Sequence, residues 1–216
     1  NSQVHIEKLI EFENDKEVVL SPLTLDPNLD PNIAIRLEQV SFKYFGSREN
    51  MFNNLNLDIS KNKHTVLTGL NGTGKSTLIG LMSGIYYASE GSVKINSNKL
   101  GYVGPLPLIL DGTIRENLNY GSLSNNSDEK LIELVKLFDL FNGDGIDLNM
   151  KVNNKSLSSG QMQKISFIRA ILADIEILFL DESTSNLDIN AKNKIYSVLQ
   201  NMNITIVNST HSKDEF

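Results

Sequence analysis

The nine residues GLNGTGKST, Gly69 to Thr77, satisfy the pattern G-x-x-x-x-G-K-[ST]. An apolar run that reads as a strand, HTVLTGL, precedes them, and a helical run starts at Lys75. In that setting Gly72 and Gly74 let the backbone wrap close to a phosphate, while successive N–H groups and a helix N-terminus supply positive potential. Gly69, Asn71, Gly72, Thr73, Gly74, Lys75, Ser76 and Thr77 are therefore the candidate phosphate contacts. Lys75 would reach the β and γ phosphates, Ser76 would ligate Mg²⁺ through its hydroxyl, and Thr77 would be a further donor. A glycine-rich turn with a solvated lysine is the bland alternative, and the strand and helix on either side argue against it.

The other half of the chemistry lies in IEILFLDE, an apolar run of strand length ending in two acids. Asp181 is placed to hold Mg²⁺, directly or through water, and Glu182 to polarise an attacking water as general base. A third segment, LSSGQ at residues 157–161, opens the helical run MQKISFIRAILA. It contains no nucleophile with a base. Ser158, Ser159 and Gly160 offer hydroxyls and N–H groups at a helix start, which makes half of an anion site.

The elements that must carry these groups follow from the pattern. VHIEKLIEFEND puts Ile6, Leu9 and Ile10 on one face of a short amphipathic helix, and SPLTLDPNLDPN reads as an extended linker. A domain then starts near Ile33. IAIRLEQVSFKY and LNLDI read as strands of an antiparallel layer, and GSVKINSNKLGYV as two short strands around an Asn/Ser turn. SDEKLIELVKLFDLF is helical with Asp128 near its start, and helices dominate to Ala173. IEILFLDE and NITIVNSTH have the form of strands buried on both faces. Strands alternating with helices predict an α/β core with a parallel sheet, a helical insertion and an antiparallel flank.

The chain has 216 residues, enough for one sizeable core, and a formal net charge of -6. That charge argues against a nucleic-acid partner, because phosphate neutralisation needs a surplus of Lys and Arg. There is no cysteine, so neither a disulfide framework nor a thiolate metal site is available. No run approaches the ~18 apolar residues of a membrane span. The chain opens on Asn1 rather than Met, which suggests a piece of something longer.

From Ile33 onward these motifs resemble the nucleotide-binding domain of ATP-binding cassette (ABC) proteins. LSSGQ is similar to the family's signature loop, with Ser159 in place of its first glycine, and STSNLD after the acids looks like its D-loop. VSFKYFG resembles the A-loop, which would make Tyr44 the aromatic that stacks on adenine. STH near the end resembles the switch region, which would make His211 the residue contacting the γ phosphate and attacking water. GTIRENLNYG is similar to the segment after the Q-loop in exporter-type members.

The resemblance implies a P-loop NTPase fold, with an antiparallel β flank, a helical subdomain at about 106–173, and residues 1–32 as a connection from a membrane domain. It implies ATP and Mg²⁺ as ligands, Glu182, His211 and Lys75 as catalytic groups, and head-to-tail pairing of two domains. Each signature loop, through Ser158, Gly160 and Gln161, would close over ATP held by the other copy. One complete motif set per chain makes a symmetric homodimer the simplest assembly. The implied activity is ATP hydrolysis driving export, at the cytoplasmic face of a membrane, with a transmembrane domain as partner. A soluble, non-transport ABC ATPase and a degenerate low-activity cassette are the alternatives.

Beyond Ser159, the chain departs from the family in four further places. Pro105 stands where the Q-loop glutamine is expected, and proline has neither a side-chain oxygen nor an N–H. MKVNNKS lacks the acidic, glycine-containing stretch usual before the signature. The link from GSVKIN to LGYV is short, and the chain ends five residues beyond His211, where the family often continues.

Overall fold

The computed structural model describes residues 20–122, 126–141 and 145–210. The amphipathic helix expected within residues 4–15 lies outside them. Four parallel strands make the central sheet: β4 (His64–Thr68), β6 (Leu100–Val103), β9 (Ile177–Asp181) and β10 (Thr205–Thr210), in the order β4-β10-β9-β6. Every residue of β9 is buried because both of its faces are covered. Ile177 and Phe179 pack on the side of the helix that follows the phosphate loop, while Leu178 and Leu180 pack on the other, helix-rich side. This two-sided burial is why the strand reads as a continuous apolar run.

Register then decides what stands beside Asp181. Ser209 pairs with Asp181 and Leu67 with Ser209, while Val103 pairs with Leu180, so the carboxyl ends of all four strands finish side by side. Ligands of open parallel sheets collect at this edge.

Helix α1 (Lys75–Met82) follows β4 directly. The flank is a second sheet of order β1-β5-β2-β3, built from β1 (Thr24–Leu25), β2 (Ile33–Phe42), β3 (Phe52–Ser60) and β5 (Glu90–Ile95). β2 runs antiparallel to β3, as expected, and also to β5, but β1 pairs parallel with Lys94 and Ile95. The stretch read as a linker thus adds an edge strand to the domain, and its Leu29 is buried. Alternation over two residues is too brief to show in sequence, and its partner lies seventy positions away.

The helical lobe contains α2 (Ile114–Asn119), α3 (Asp128–Leu137) and α4 (Ser159–Leu172), and α5 (Ile189–Gln200) follows β9. A two-residue ribbon, β7 (Gly112–Thr113) with β8 (Lys151–Val152), fixes the start of α2. Thr113 and Glu116 form a reciprocal capping box there. No helix among the described residues is long and apolar enough to cross a membrane.

Residues 104–110, which link β6 to the lobe, are held by a polar brace. The fully buried Asn117 accepts from the Leu110 N–H through Oδ1 and donates to the carbonyls of Leu110 and Thr113. Arg169 of α4 donates to Asn117 Oδ1 at 2.8 Å and to the carbonyls of Asn117 and Leu108, with its guanidinium 5.2 Å from the Tyr120 ring centre. Removing one side of such a network strands buried donors and acceptors. Asn117→Ala is therefore expected to lower unfolding free energy by about 2–3 kcal/mol in urea titration, with unchanged stability arguing against the brace.

Candidate functional site

The phosphate loop takes its shape from backbone that only some residues tolerate. Gly72 has φ 78° and Gly74, the N-cap of α1, has φ 93°, both left-handed. A Cβ on Gly74 would lie 2.9 Å from Phe52 Cζ and 3.1 Å from Met51 Sδ, so the flank sheet also presses on this position. Thr73 bridges the loop by donating from Oγ1 to the Leu70 carbonyl at 2.9 Å. Lys75 is buried and its Nζ donates to the carbonyls of Gly69 (2.9 Å) and Leu70 (3.0 Å), which curls the side chain back under the loop. Asn71, Gly72, Thr73 and Ser76 are exposed. A cavity of about 470 Å³ beside the loop is lined in part by Phe52, Gly69, Thr73 and Lys75.

The acid pair meets the loop at the sheet edge. Ser76 Oγ donates to Asp181 Oδ1 at 2.8 Å, Ser209 Oγ donates to the same oxygen at 2.6 Å, and the Tyr102 hydroxyl donates to Oδ2 at 3.2 Å. Burial, then the Asp181 charge, push the Tyr102 phenol up to about 12. It remains a proton donor at neutral pH. Glu182 has φ 47°, rare for a residue with a side chain, and its N–H donates to both the carbonyl and the hydroxyl of Ser209 at 3.2 Å. Strained backbone of this kind persists where surrounding contacts over-determine it, and it concentrates at functional sites.

Ser76 and Asp181 fit a hard divalent cation, since Mg²⁺ in a phosphate-loop site takes a hydroxyl and one carboxylate together with phosphate oxygens. Among the described residues no cluster of three or more His, Cys, Asp or Glu forms a metal site, and this mode of binding needs none.

Tyr44 reaches the same place from the flank. Its hydroxyl lies 2.6 Å from Thr77 Oγ1, and its ring meets Phe42 and Tyr86 edge-on, with centroids 5.1 and 5.7 Å away. The Tyr86 ring covers Gly80, where a Cβ would be 2.4 Å from Cδ2.

Ser158, Gly160 and Gln161 lie apart from this cluster. They line a separate cleft of about 290 Å³ with Asp139, Lys164 and Asn186, none of which borders the phosphate-loop cavity. Ser158 caps α4: its Oγ accepts from the Gln161 N–H, and Gln161 Oε1 accepts from the Ser158 N–H. Gln161 Nε2 donates to the Leu140 carbonyl at 3.1 Å, so both polar ends of this side chain have partners within the chain. The S-x-x-Q spacing already carried that capping-box signal. A Cβ on Gly160 would sit 3.3 Å from the Asn186 carbonyl, which joins the signature segment to STSNLD.

The structure therefore gathers Tyr44, Lys75, Ser76, Thr77, Asp181 and Glu182 into one cluster and leaves the signature residues at a second surface. His211 lies outside the described residues. Tyr102 and Ser209 are partners of Asp181 that sequence reasoning missed, because strand order alone brings them there.

A family model described as ABC transporter matches residues 52–185. ABC transporter B family member 22 of Arabidopsis thaliana is 33% identical over 207 residues, spanning 86% of this chain and 17% of the relative. The lactococcin-A transport/processing ATP-binding protein LcnC of Lactococcus lactis subsp. lactis is 30% identical over 220 residues, spanning 93% of this chain and 29% of the relative. The chain thus covers less than a third of either relative's length. A solved bacterial Atm1-family ABC exporter with ATP bound superposes with a TM-score of 0.76 at 21% identity, covering 98% of this chain and 40% of that one.

Gly74→Ala is expected to weaken nucleotide binding about tenfold or more, since left-handed strain alone is worth ~1–3 kcal/mol. Titration with a fluorescent ATP analogue checks this, with circular dichroism confirming the fold; native affinity would mean that the loop tolerates a Cβ.

Proposed function

The chain belongs to the ABC transporter family, as the match of the family model to more than half of it shows, and from that premise we propose that it is the ATP-binding and ATP-hydrolysing domain of an exporter-type transporter. The observation that carries the reading is the Ser76–Asp181 bond at 2.8 Å, which brings phosphate loop and acid pair to one point.

In this mechanism the loop amides and Lys75 bind the β and γ phosphates, and Lys75 exchanges its carbonyl partners for phosphate oxygens. Tyr44 presents its ring to adenine. Mg²⁺, when bound by Ser76 and Asp181, neutralises charge on the β and γ phosphate oxygens. Glu182, held by Ser209, accepts a proton from the attacking water as its oxygen bonds to the γ phosphorus; the bond to the β-bridging oxygen breaks and ADP leaves. The family resemblance would give His211 the contact with the γ phosphate and the attacking water.

The Ser158–Gly160 surface supports a shared site. Its cleft shares no lining residue with the phosphate-loop cavity, so a γ phosphate on one chain would find its second set of donors on another copy. Head-to-tail pairing of two domains satisfies both surfaces, and ATP then acts as the ligand that selects the closed pair. A transmembrane domain completes the engine, with the pair working at the cytoplasmic face. Leu106, Leu108 and Tyr120, exposed by 90%, 55% and 50%, rim a cleft beside residues 104–110 and offer such a partner an apolar surface.

A slow cassette is the second reading, and Pro105 is the observation that favours it. Replacing Pro105 by Gln should raise hydrolysis or tighten Mg²⁺ binding; no change in either means that a water substitutes or that the glutamine belongs elsewhere in the loop. For the main reading, Glu182→Gln should bind ATP as the parent does while losing turnover by about 10²–10⁴-fold, measured by phosphate release beside a binding titration. Unchanged steady-state hydrolysis would remove Glu182 from its role.

A further inference from the structure

We propose that Tyr102 is a positioning residue for the metal-binding carboxylate: its hydroxyl fixes Asp181 Oδ2 so that Oδ1 stays turned toward Ser76. This rests on the reading of Asp181 and Ser76 as the Mg²⁺ pair.

Strand parity puts the phenol there. On β9, Phe179 and Asp181 share one face, and β6 pairs in a register that sets Tyr102 beside Phe179, so Tyr102 falls on the Asp181 side of the sheet. Its hydroxyl then reaches Oδ2 diagonally at 3.2 Å. A carboxylate held at one oxygen can pivot about its Cβ–Cγ bond. Oδ1 has two donors, Ser76 and Ser209, and Ser76 is the one whose hydroxyl oxygen a cation recruits. What then holds the carboxylate plane is Ser209 on Oδ1 and Tyr102 on Oδ2.

The loop after β6 offers no substitute. Gly104, Pro105, Leu106, Pro107 and Leu108 carry no polar side-chain atom, so Tyr102 is the polar side chain this segment brings to the acid. Gly104 makes the pose possible: a Cβ there would lie 2.8 Å from Tyr102 Cε1 and 3.3 Å from its hydroxyl. The ring is 44% exposed, which makes it a poor core anchor and leaves the hydroxyl as its distinctive contribution. Gln163 of α4 donates to the Gly104 carbonyl at 3.1 Å and holds the loop in register from the other side.

Tyr102→Phe keeps the ring and deletes the hydrogen bond. Mn²⁺ affinity, read by electron paramagnetic resonance with a non-hydrolysable ATP analogue, should fall about tenfold or more, the scale of losing a group that orients a metal ligand. Analogue binding in EDTA should stay at the parental value, and Tm should fall by no more than the few degrees that one lost hydrogen bond costs. The KM for Mg²⁺ in hydrolysis should rise by the same factor. Parental Mn²⁺ affinity in Tyr102→Phe overturns the proposal, and a lowered Tm with parental Mn²⁺ affinity does so by marking a structural role. Failure of the unsubstituted protein to bind Mn²⁺ with the analogue would sink the Mg²⁺ pair itself, and the Tyr102 proposal with it.

Discussion

The Asp181 carboxylate accepts hydroxyl donors from three separate segments: Ser76 at the start of α1, Ser209 at the end of β10 and Tyr102 at the end of β6. Each segment arrives because β9 sits inside a parallel sheet whose neighbours end level with it. A buried acid tolerates that position only with such partners. The rest of the site follows from the same constraint, for the phosphate loop leaves β4 at the same edge and Glu182 is the next residue of the chain. Its left-handed backbone is held by the Ser209 hydroxyl and carbonyl.

The two faces of that sheet do different work. One is covered by α1 and the antiparallel flank, which presses Phe52 against Gly74 and swings Tyr44 onto Thr77. The other carries the helical lobe, joined to the site by the segment 104–110. Gln163, Asn117 and Arg169 fasten that segment to α4, whose N-terminus is the Ser158 cap. The signature helix thus holds the Gly104 carbonyl through Gln163, two residues along the backbone from the Tyr102 that bonds the acid.

What was legible in the sequence was local. The phosphate loop declares itself because Gly72 and Gly74 satisfy a backbone demand within a few residues, and IEILFLDE because two-sided burial writes an unbroken apolar run. Tyr102 and Ser209 were invisible as site residues, since their roles depend on which strands become neighbours, a fact spread over a hundred positions. The β1 strand and the β7–β8 ribbon are two residues per strand, too short for any period. The cap formed by Ser158 and Gln161 is local as well, since their i+3 spacing spells a capping box.

The central claim is that one ATP is held between the phosphate loop of one chain and the Ser158 surface of another. Solution mass by light scattering, on the Glu182→Gln protein with and without ATP and Mg²⁺, tests it most directly. The predicted result is a dimer that forms only with ATP and is lost when Ser158 is replaced by a bulky residue. A monomer under all conditions, with ATP shown to be bound, would contradict the shared site.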